Sequence, residues 1–480
     1  MTEQVVRSKT TSPLCVDLDG TLIHTDLMHE NFASMIVTSP WLLFAIPFWW
    51  LKGRAHLKKK IADRAVFDPT LLPYDERVLD YLHSEKKDGR TLILTTASTR
   101  SQAQDVADHL GLFNIVFATD SRVNLKGSQK ASLLNEELGR FSYLGNDESD
   151  IAVWKAAETV GIANASKELE RRIASDYIVE VQIPRRRGTF RSMINALRPY
   201  QWAKNLLVFV PILTANQLYD GTAWLAALVV FVAFSLTASG IYVLNDLTDL
   251  AADRRHLRKR RRAFASGKVP ILYGFVLVPL LIATGFMIAW EGAVLSPLAA
   301  YVVVSLAYTF CVKEFPLADV FCLTFLYLIR LFAGGLITGF HLSLWLLGFS
   351  AFLFLGLAFV KRVSELSAAQ RESQKMSRRG YLTQDLIVLT IMGIGSSFAS
   401  CVLLALFVQS PEVAARYRSP TVLWVLVPLI LFWQLRLWLS TARGDMLDDP
   451  ILYAARDWVS WIASATAAAI IILASGTSFG

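Results

Sequence analysis

The sequence predicts a two-part chain, an N-terminal α/β doubly wound domain followed by a C-terminal all-α polytopic membrane bundle of about nine transmembrane helices. Three observations carry the prediction. The chain has 480 residues, more than one ordinary domain needs. It is 54% hydrophobic, above the soluble norm, and the excess is concentrated: residues 1–190 read as mixed soluble sequence and 200–475 as stacked apolar runs. Within the first part, apolar strand-like runs alternate with helical stretches, as a parallel sheet requires.

In chain order, Met1 to Pro13 is polar and lacks an apolar signal core, so no cleaved signal peptide is expected to export the first domain. Leu14-Cys15-Val16 is a strand-like run ending in Asp17-Leu18-Asp19-Gly20-Thr21. Thr91 to Leu94 ends in the hydroxyls of Thr95, Thr96 and Ser98, and Phe141 to Leu144 ends in Gly145-Asn146-Asp147-Glu148-Ser149-Asp150. Helices are expected over 101–111, 128–138 and 150–160. In a doubly wound sheet the active groups gather at the carboxyl ends of the strands, where these motifs fall, with Lys130 after a Gly-containing loop. Pro40 to Leu51 is aromatic-rich, contains Pro47, precedes Lys58-Lys59-Lys60 and is too short to span a bilayer. Two readings fit it equally, a membrane-interface segment or a helical cap over the soluble site. The expected domains are 1–184, a basic linker at 185–197 containing Arg185-Arg186-Arg187-Gly188, and 198–480.

Segments of roughly 17–25 residues, enough to span a bilayer, fall near 200–216, 223–244, 271–290, 293–311, 317–338, 342–360, 386–408, 421–440 and 457–475. Lys204 makes the first the weakest. The formal net charge of +8 sits mostly in alternate loops, at 185–204, 254–268, 361–379 and 436–456. The positive-inside rule places these loops and the N-terminal domain in the cytoplasm and the C-terminus outside, as for a multi-pass inner (plasma) membrane protein. There is no aromatic–basic interleaving of a nucleic-acid platform, so no nucleic-acid partner is expected. Cys15, Cys311, Cys322 and Cys401 lack zinc-type spacing and read as small buried hydrophobes.

The densest chemistry lies at the end of the second span, Asn245-Asp246-Leu247-Thr248-Asp249-Leu250-Ala251-Ala252-Asp253, followed by Arg254-Arg255-His256. Carboxylates at steps of three and four share a helix face, and three at a membrane mouth call for a cation. A divalent metal holding a pyrophosphate, with arginines taking the remaining charge, is the economical account. On the same side lie Tyr308, Lys313, Asp319, Arg330, Lys361, Arg362 and Glu365. Arg330 sits deep in an apolar run, where a charge must face a cavity or a partner.

Arg198-Pro199-Tyr200-Gln201-Trp202-Ala203-Lys204-Asn205, Pro211 and the Asn245–Asp253 motif together resemble the UbiA-type prenyltransferase superfamily over roughly 190–475. Within it the chain most resembles the decaprenyl-phosphate phosphoribosyltransferases. Their Arg-Pro-x-Gln-Trp-x-Lys-Asn opening is matched at 198–205. Their His-Pro-x-Lys-x-x-Arg-Pro stretch is matched at His256, Lys259 and Arg262, with Leu257 and Ala263 replacing both prolines. Aromatic prenyltransferases of the superfamily carry a second Asp-x-x-x-Asp; here the region has one Asp, Asp319, near Lys313. The resemblance implies transfer of phosphoribose from phosphoribosyl pyrophosphate to a polyprenyl phosphate, with Mg²⁺ as cofactor. Asp246 and Asp249, with Asp253 and Asn245, would hold Mg²⁺ on the donor and serve catalysis. Lys204, Asn205, His256, Lys259, Arg262, Lys313, Asp319, Arg330, Lys361 and Arg362 would bind substrate.

The four N-terminal motifs resemble the haloacid-dehalogenase (HAD) superfamily. That resemblance implies a phosphatase in which Asp17 is the nucleophile and Asp19 the acid–base group. Thr96 and Lys130 would hold phosphate, and Asp17, Asp19, Asn146, Asp147 and Asp150 would surround Mg²⁺. Asn146 stands where the family reads Asp; its carbonyl oxygen can ligate without adding charge, and Asp147 can substitute. Together the halves imply a two-step enzyme that makes polyprenyl-phosphate 5-phosphoribose and removes its 5-phosphate, for arabinose-type cell-wall donor synthesis. A homo-oligomer is compatible with this. The competing readings are prenyl transfer from an isoprenyl pyrophosphate to an aromatic or other small acceptor, and a non-catalytic N-terminal domain. A transporter is disfavoured because the charges gather at one face rather than at the midplane.

Overall fold

The computed structural model describes residues 12–119, 125–185, 189–290, 293–371, 380–446 and 449–475. Most of the expected polar N-terminus, Arg186 to Gly188 of the linker, and residues 372–379 of a basic loop lie outside these. The chain forms two compact units, Met1–Ala196 with Val243–Val276, and Leu197–Tyr242 with Leu277–Gly480.

In the first unit six strands form one parallel sheet, β1 (Leu14–Asp17), β2 (Leu92–Thr99), β3 (Ile115–Thr119), β4 (Ser142–Gly145), β5 (Thr159–Ala163) and β6 (Val179–Ile183). Their order is β3-β2-β1-β4-β5-β6, with Asp17 level with Thr95 and Val16 level with Leu144. Successive strand residues point to opposite faces, and both faces are covered. Leu14, Val16, Leu92, Leu94 and Leu144 enter one core. Cys15, Ile93, Tyr143, Val160 and Ile162 enter the other with Phe141 and Trp154. The order reverses between β1 and β4, the switch point where such sheets bind ligands.

The helices expected over 101–111 and 128–138 are present as Arg100–Leu110 and Ser128–Leu138. The one expected over 150–160 is not: only Ile151–Trp154 is helical, and the chain then enters β5. Within β5, Gly161 marks a tight contact. It packs so closely on β4 that an added Cβ would stand 2.7 Å from Leu144 Cδ1, a fit that favours a strand in the middle of the sheet.

The segment Val243–Val276 packs onto the helix Leu27–Thr38 and the turns around it. Arg254 grips Glu30 with two hydrogen bonds of 2.6 and 3.0 Å, Arg255 reaches Asp68 at 3.2 Å, and Phe32 and Phe275 meet edge to face at 4.7 Å.

Among the described residues, seven helices are long and apolar enough to cross a membrane: Gly221–Thr248, Ile271–Ile288, Ala318–Thr338, Leu344–Arg371, Thr383–Val408, Pro420–Arg443 and Trp458–Ser475. The expected span near 293–311 is a shorter helix, Leu295–Phe310. The one near 200–216 is a 3-10 helix, Pro199–Phe209, running into Val210–Thr214. Pro199 and Pro211 remove backbone donors there, and buried Gln201, Lys204 and Asn205 bring polar atoms into the same stretch. Cys15 and Cys401 are buried as expected, but Cys311 is exposed and Cys322 half-buried. An apolar run in a membrane helix has an outward face, and sequence alone does not say which residues lie on it.

Candidate functional site

The first site forms at the ends of β1, β2 and β4. Asp17 closes β1, and Lys130, near the start of the helix Ser128–Leu138, donates to its Oδ1 at 2.7 Å. Lys130 also donates to the Tyr143 hydroxyl at 2.9 Å, which donates to Asp150 Oδ1 at 2.8 Å. The other Asp150 oxygen accepts the backbone N–H groups of Asn146 and Asp147 at 3.0 and 3.2 Å. Asp19 accepts from the Leu27 amide at 2.8 Å, from Ser98 at 2.9 Å and from Thr96 at 3.4 Å. Asn146 takes a hydrogen bond from Thr21 at 3.2 Å. Its side chain lies against Gly20, whose positive φ of 76° and crowded Cβ position both require glycine. Thus Asp17, Asp19, Thr96, Lys130, Asn146, Asp147 and Asp150 all meet at one place. Ser98, noted in the sequence only as a strand-end hydroxyl, joins them through Asp19, and Tyr143 joins them unforeseen, since it lies inside the β4 strand rather than in a motif.

Burial pushes the Asp17 carboxyl up to about 7, with Lys130 opposing and the carboxylates of Asp150 and Asp19 adding. Burial likewise raises Asp19 to about 6, the nearby Asp26 adding and the Leu27 and Ser98 hydrogen bonds opposing. The site opens into a cavity of about 1760 Å³ whose walls include His24, Lys58, Lys59, Lys268 and Tyr273.

At the end of the helix Gly221–Thr248, the Arg262 guanidinium bridges two carboxylates, Asp246 at 3.2 Å and Asp253 at 2.7 Å. Burial raises the Asp253 carboxyl to about 6, with Arg262 opposing and Asp246 adding. Asn245 and Asp249 are half-buried on the same stretch, His256 is half-buried, and Lys259 is exposed in the following turn.

Both acidic groups fit a hard divalent cation. The donors are all oxygens, neighbouring carboxylates repel one another in each group, and at the second a cation already bridges two of them. Among the described residues no three His, Cys, Asp or Glu side chains converge into a cage. The protein would therefore supply one or two carboxylates at a time, the mode in which Mg²⁺ is held.

In the second unit, Gln201, Lys204, Asn205 and Val208 share the buried face of the 3-10 helix. Arg198, just before it, takes the left-handed conformation at φ 51°, costly for a residue with a Cβ, and stacks on Tyr242 at 5.4 Å. Lys204 donates to Asp449 Oδ2 at 2.6 Å, and Lys361 lies 3.4 Å from the same oxygen. Burial would raise the Asp449 carboxyl, but the Lys204 and Lys361 ammonium groups hold it at about 2. Arg330 donates to Asn205 Oδ1 at 2.6 Å and lies over the Tyr301 ring at 4.7 Å. Asn205 in turn donates to Ser235 at 3.0 Å. Asp449 was not expected. Its sequence signal, an Asp before Pro450, is that of an ordinary helix cap, and it does accept from the Ile451 amide at 3.2 Å.

Asp319 and Arg362 lie elsewhere. Both are fully buried and paired through Arg362 Nε and Asp319 Oδ2. Tyr381 takes the other Asp319 oxygen, while Tyr308 at 2.7 Å and Glu365 take the rest of the guanidinium. The structure thus joins these two to each other rather than to the Lys204–Asp449 group, in a network whose polar atoms are satisfied within the protein. Lys313 is buried in the short turn Val312–Glu314.

The chain resembles known proteins at two levels. It is 34% identical over 96% of its length, and 91% of theirs, to an uncharacterized protein of Sinorhizobium fredii, y4nM. Two kinds of relative match a part of it. Nodulation protein NoeC of Azorhizobium caulinodans is 36% identical over 57% of this chain and 90% of its own. Decaprenyl-phosphate phosphoribosyltransferase of Mycolicibacterium smegmatis is 38% identical over 39% of this chain and 60% of its own. Residues 208–455, which hold Asp246, Asp249, Arg262, Arg330, Lys361 and Asp449, match the pattern of the UbiA prenyltransferase family. With more than half of its length matched, this chain belongs to the UbiA prenyltransferase family.

Proposed function

We propose that the protein transfers 5-phosphoribose from phosphoribosyl pyrophosphate to a polyprenyl phosphate at its membrane part, and removes the 5-phosphate at its HAD-like N-terminal domain. The observation that carries the first step is the 38% identity to a decaprenyl-phosphate phosphoribosyltransferase. The paired-up state of Asp319 with Arg362 favours it over prenyl transfer to a small acceptor. Prenyl transfer in this superfamily uses a second Asp pair, and here the one Asp of that region, Asp319, already has its cation in Arg362.

The donor's pyrophosphate departs with the electrons of its bond to ribose C1, leaving an oxocarbenium-like carbon. An oxygen of the polyprenyl phosphate then forms the new C–O bond. That oxygen is already anionic at neutral pH, so no general base is needed. One or two of the carboxylates of Asp246, Asp249 and Asp253, with Asn245, would hold Mg²⁺, which would neutralise charge on the leaving group. Arg262 and Lys259 add positive charge beside them. Lys204, Lys361 and Arg330 supply phosphate contacts, Arg by two parallel hydrogen bonds and Lys as a point charge. At the N-terminal site Asp17 attacks phosphorus, and Asp19 protonates the departing ribose oxygen and then activates the water that frees the phosphate. Lys130 and Thr96 steady the phosphoryl oxygens. The positive-inside charge pattern supports a cytoplasmic side of the plasma membrane for both sites.

The test uses full-length protein in detergent with Mg²⁺, labelled phosphoribosyl pyrophosphate and a polyprenyl phosphate. Label should enter the lipid phase and be lost in Asp249→Asn. Asp17→Asn should still form labelled lipid but leave its 5-phosphate in place. Prenyl transfer from an isoprenyl pyrophosphate, with no labelled lipid, refutes the first step. Loss of the 5-phosphate in Asp17→Asn refutes the second.

A further inference from the structure

The segment Pro40–Leu51, a 3-10 turn followed by a short helix, has two unlike sides. Leu42, Ile46 and Trp49 pack inward on Met35, Leu57 and Ile61. Trp41, Phe44, Phe48, Trp50 and Leu51 point outward at 64, 83, 69, 61 and 79% exposure. With Leu43, six large apolar side chains are bared within twelve residues of this α/β unit and form a contact surface, since isolated exposed residues are ordinary but contiguous patches are not. Exposed Lys52 and Lys59, with half-exposed Lys58 and Lys60, follow directly. We propose that this segment docks flat on the surface of an anionic lipid bilayer.

Three features commit the surface to lipid. At twelve residues the segment is too short to cross a bilayer and suited to lying in its plane. Aromatic rings beside lysines match the headgroup level, where rings bury their faces and ammonium groups meet lipid phosphates. Among the described residues the same chain carries seven helices long enough to cross a membrane, so a bilayer is within tether range. The helix that follows, Arg54–Ala62, walls the cavity above Asp17 through Leu57, Lys58, Lys59 and Ile61, and Trp50 of the segment reaches the edge of the same cavity. Docking would therefore hold the mouth of that cavity next to lipid, where a substrate with a long apolar tail could present its headgroup without leaving the membrane.

The experiment reconstitutes the full chain in nanodiscs of phosphatidylcholine and phosphatidylglycerol containing a photoactivatable phospholipid, and maps adducts by mass spectrometry. Adducts are expected within residues 40–51 as well as in the long helices. In the triple variant Trp41→Ser, Phe44→Ser, Phe48→Ser the first set should vanish while labelling of Pro420–Arg443 persists, which shows that the variant is folded and inserted. Omitting phosphatidylglycerol, or replacing Lys58, Lys59 and Lys60 by Gln, should weaken the first set. Adducts confined to the long helices overturn the proposal, as do chain-to-chain cross-links through residues 40–51 in place of lipid adducts. Labelling indifferent to the anionic lipid overturns its electrostatic half. The readout is independent of turnover, so failure of the phosphatase reading would leave it standing.

Discussion

Asp17 combines a carboxyl raised to about 7 with a direct hydrogen bond to Lys130. Because its ordinary value is about 3.9, the folded chain holds this proton between roughly pH 4 and pH 7. The stability tied to it is full below about pH 4 and is lost as pH rises through 7. A divalent cation needs the carboxylate, so Mg²⁺ binding should expel protons near pH 6 and almost none near pH 8. Calorimetric titration in two buffers of different ionisation enthalpy should show this, with a smaller release in Asp17→Asn; equal heats at pH 6 would contradict it. Asp449 has the opposite sign. Its carboxyl, held at about 2, contributes stability that is present above about pH 4 and lost as pH falls through 2. Asp449→Asn leaves Lys204 and Lys361 facing each other with no anion, a loss of about 3–5 kcal/mol for a buried pair. Thermal unfolding in detergent at neutral pH should show a clearly lower midpoint. The Asp17 group was legible in the sequence because most of its members lie at or just beyond the ends of strands in recognisable motifs, with Lys130 following a Gly-containing loop at the start of a helix. Asp449 was not, because its partner Lys204 is 245 positions away and nothing local marks the pair.

At the level of elements, hydropathy was sufficient for the long helices, since a bilayer imposes length and composition directly. It misjudged 199–214, where two prolines and three buried polar residues give a 3-10 helix, because local polarity changes the backbone more than it changes average hydropathy. It was also silent on pairing: Asp319 and Arg362, each readable as a substrate contact, are one buried ion pair joining two helices. In the sheet, strands β3, β5 and β6 escaped the pattern because short apolar runs look alike whether they end in strand or helix. Gly161 shows what was hidden. Gly161→Ala should force Leu144 or Val181 aside and destabilise the N-terminal unit by about 1–3 kcal/mol. Circular dichroism melting of the full chain would register this as an earlier first transition, and an unchanged profile would show that the neighbours move freely.

The two compact units are not two consecutive pieces of chain. The stretch carrying the acidic motif, Val243–Val276, folds with the N-terminal sheet, and the doubly hydrogen-bonded Arg254–Glu30 pair is a largely buried polar tie between them. If that tie positions the acidic motif, Glu30→Arg should reduce transferase turnover although Glu30 is far from that motif in sequence, and adding Arg254→Glu should restore much of it. A charge swap with no effect in either variant would show the tie to be dispensable. No sequence pattern announced this arrangement, because the segment's composition is that of a cytosolic loop and its packing partner precedes it by more than two hundred residues.

The same arrangement has a consequence in time. A ribosome adds about 5–20 residues per second, so roughly 4–16 seconds pass between the emergence of Ala196, where the first segment of the N-terminal unit ends, and that of Val276, where its second segment ends. During that interval the helix Gly221–Thr248 must leave the exit tunnel and reach the translocation machinery. The N-terminal sheet can collapse early, but it waits for its last segment until membrane insertion has begun, so a stalled or misrouted first helix would leave an incomplete soluble part for quality control to recognise.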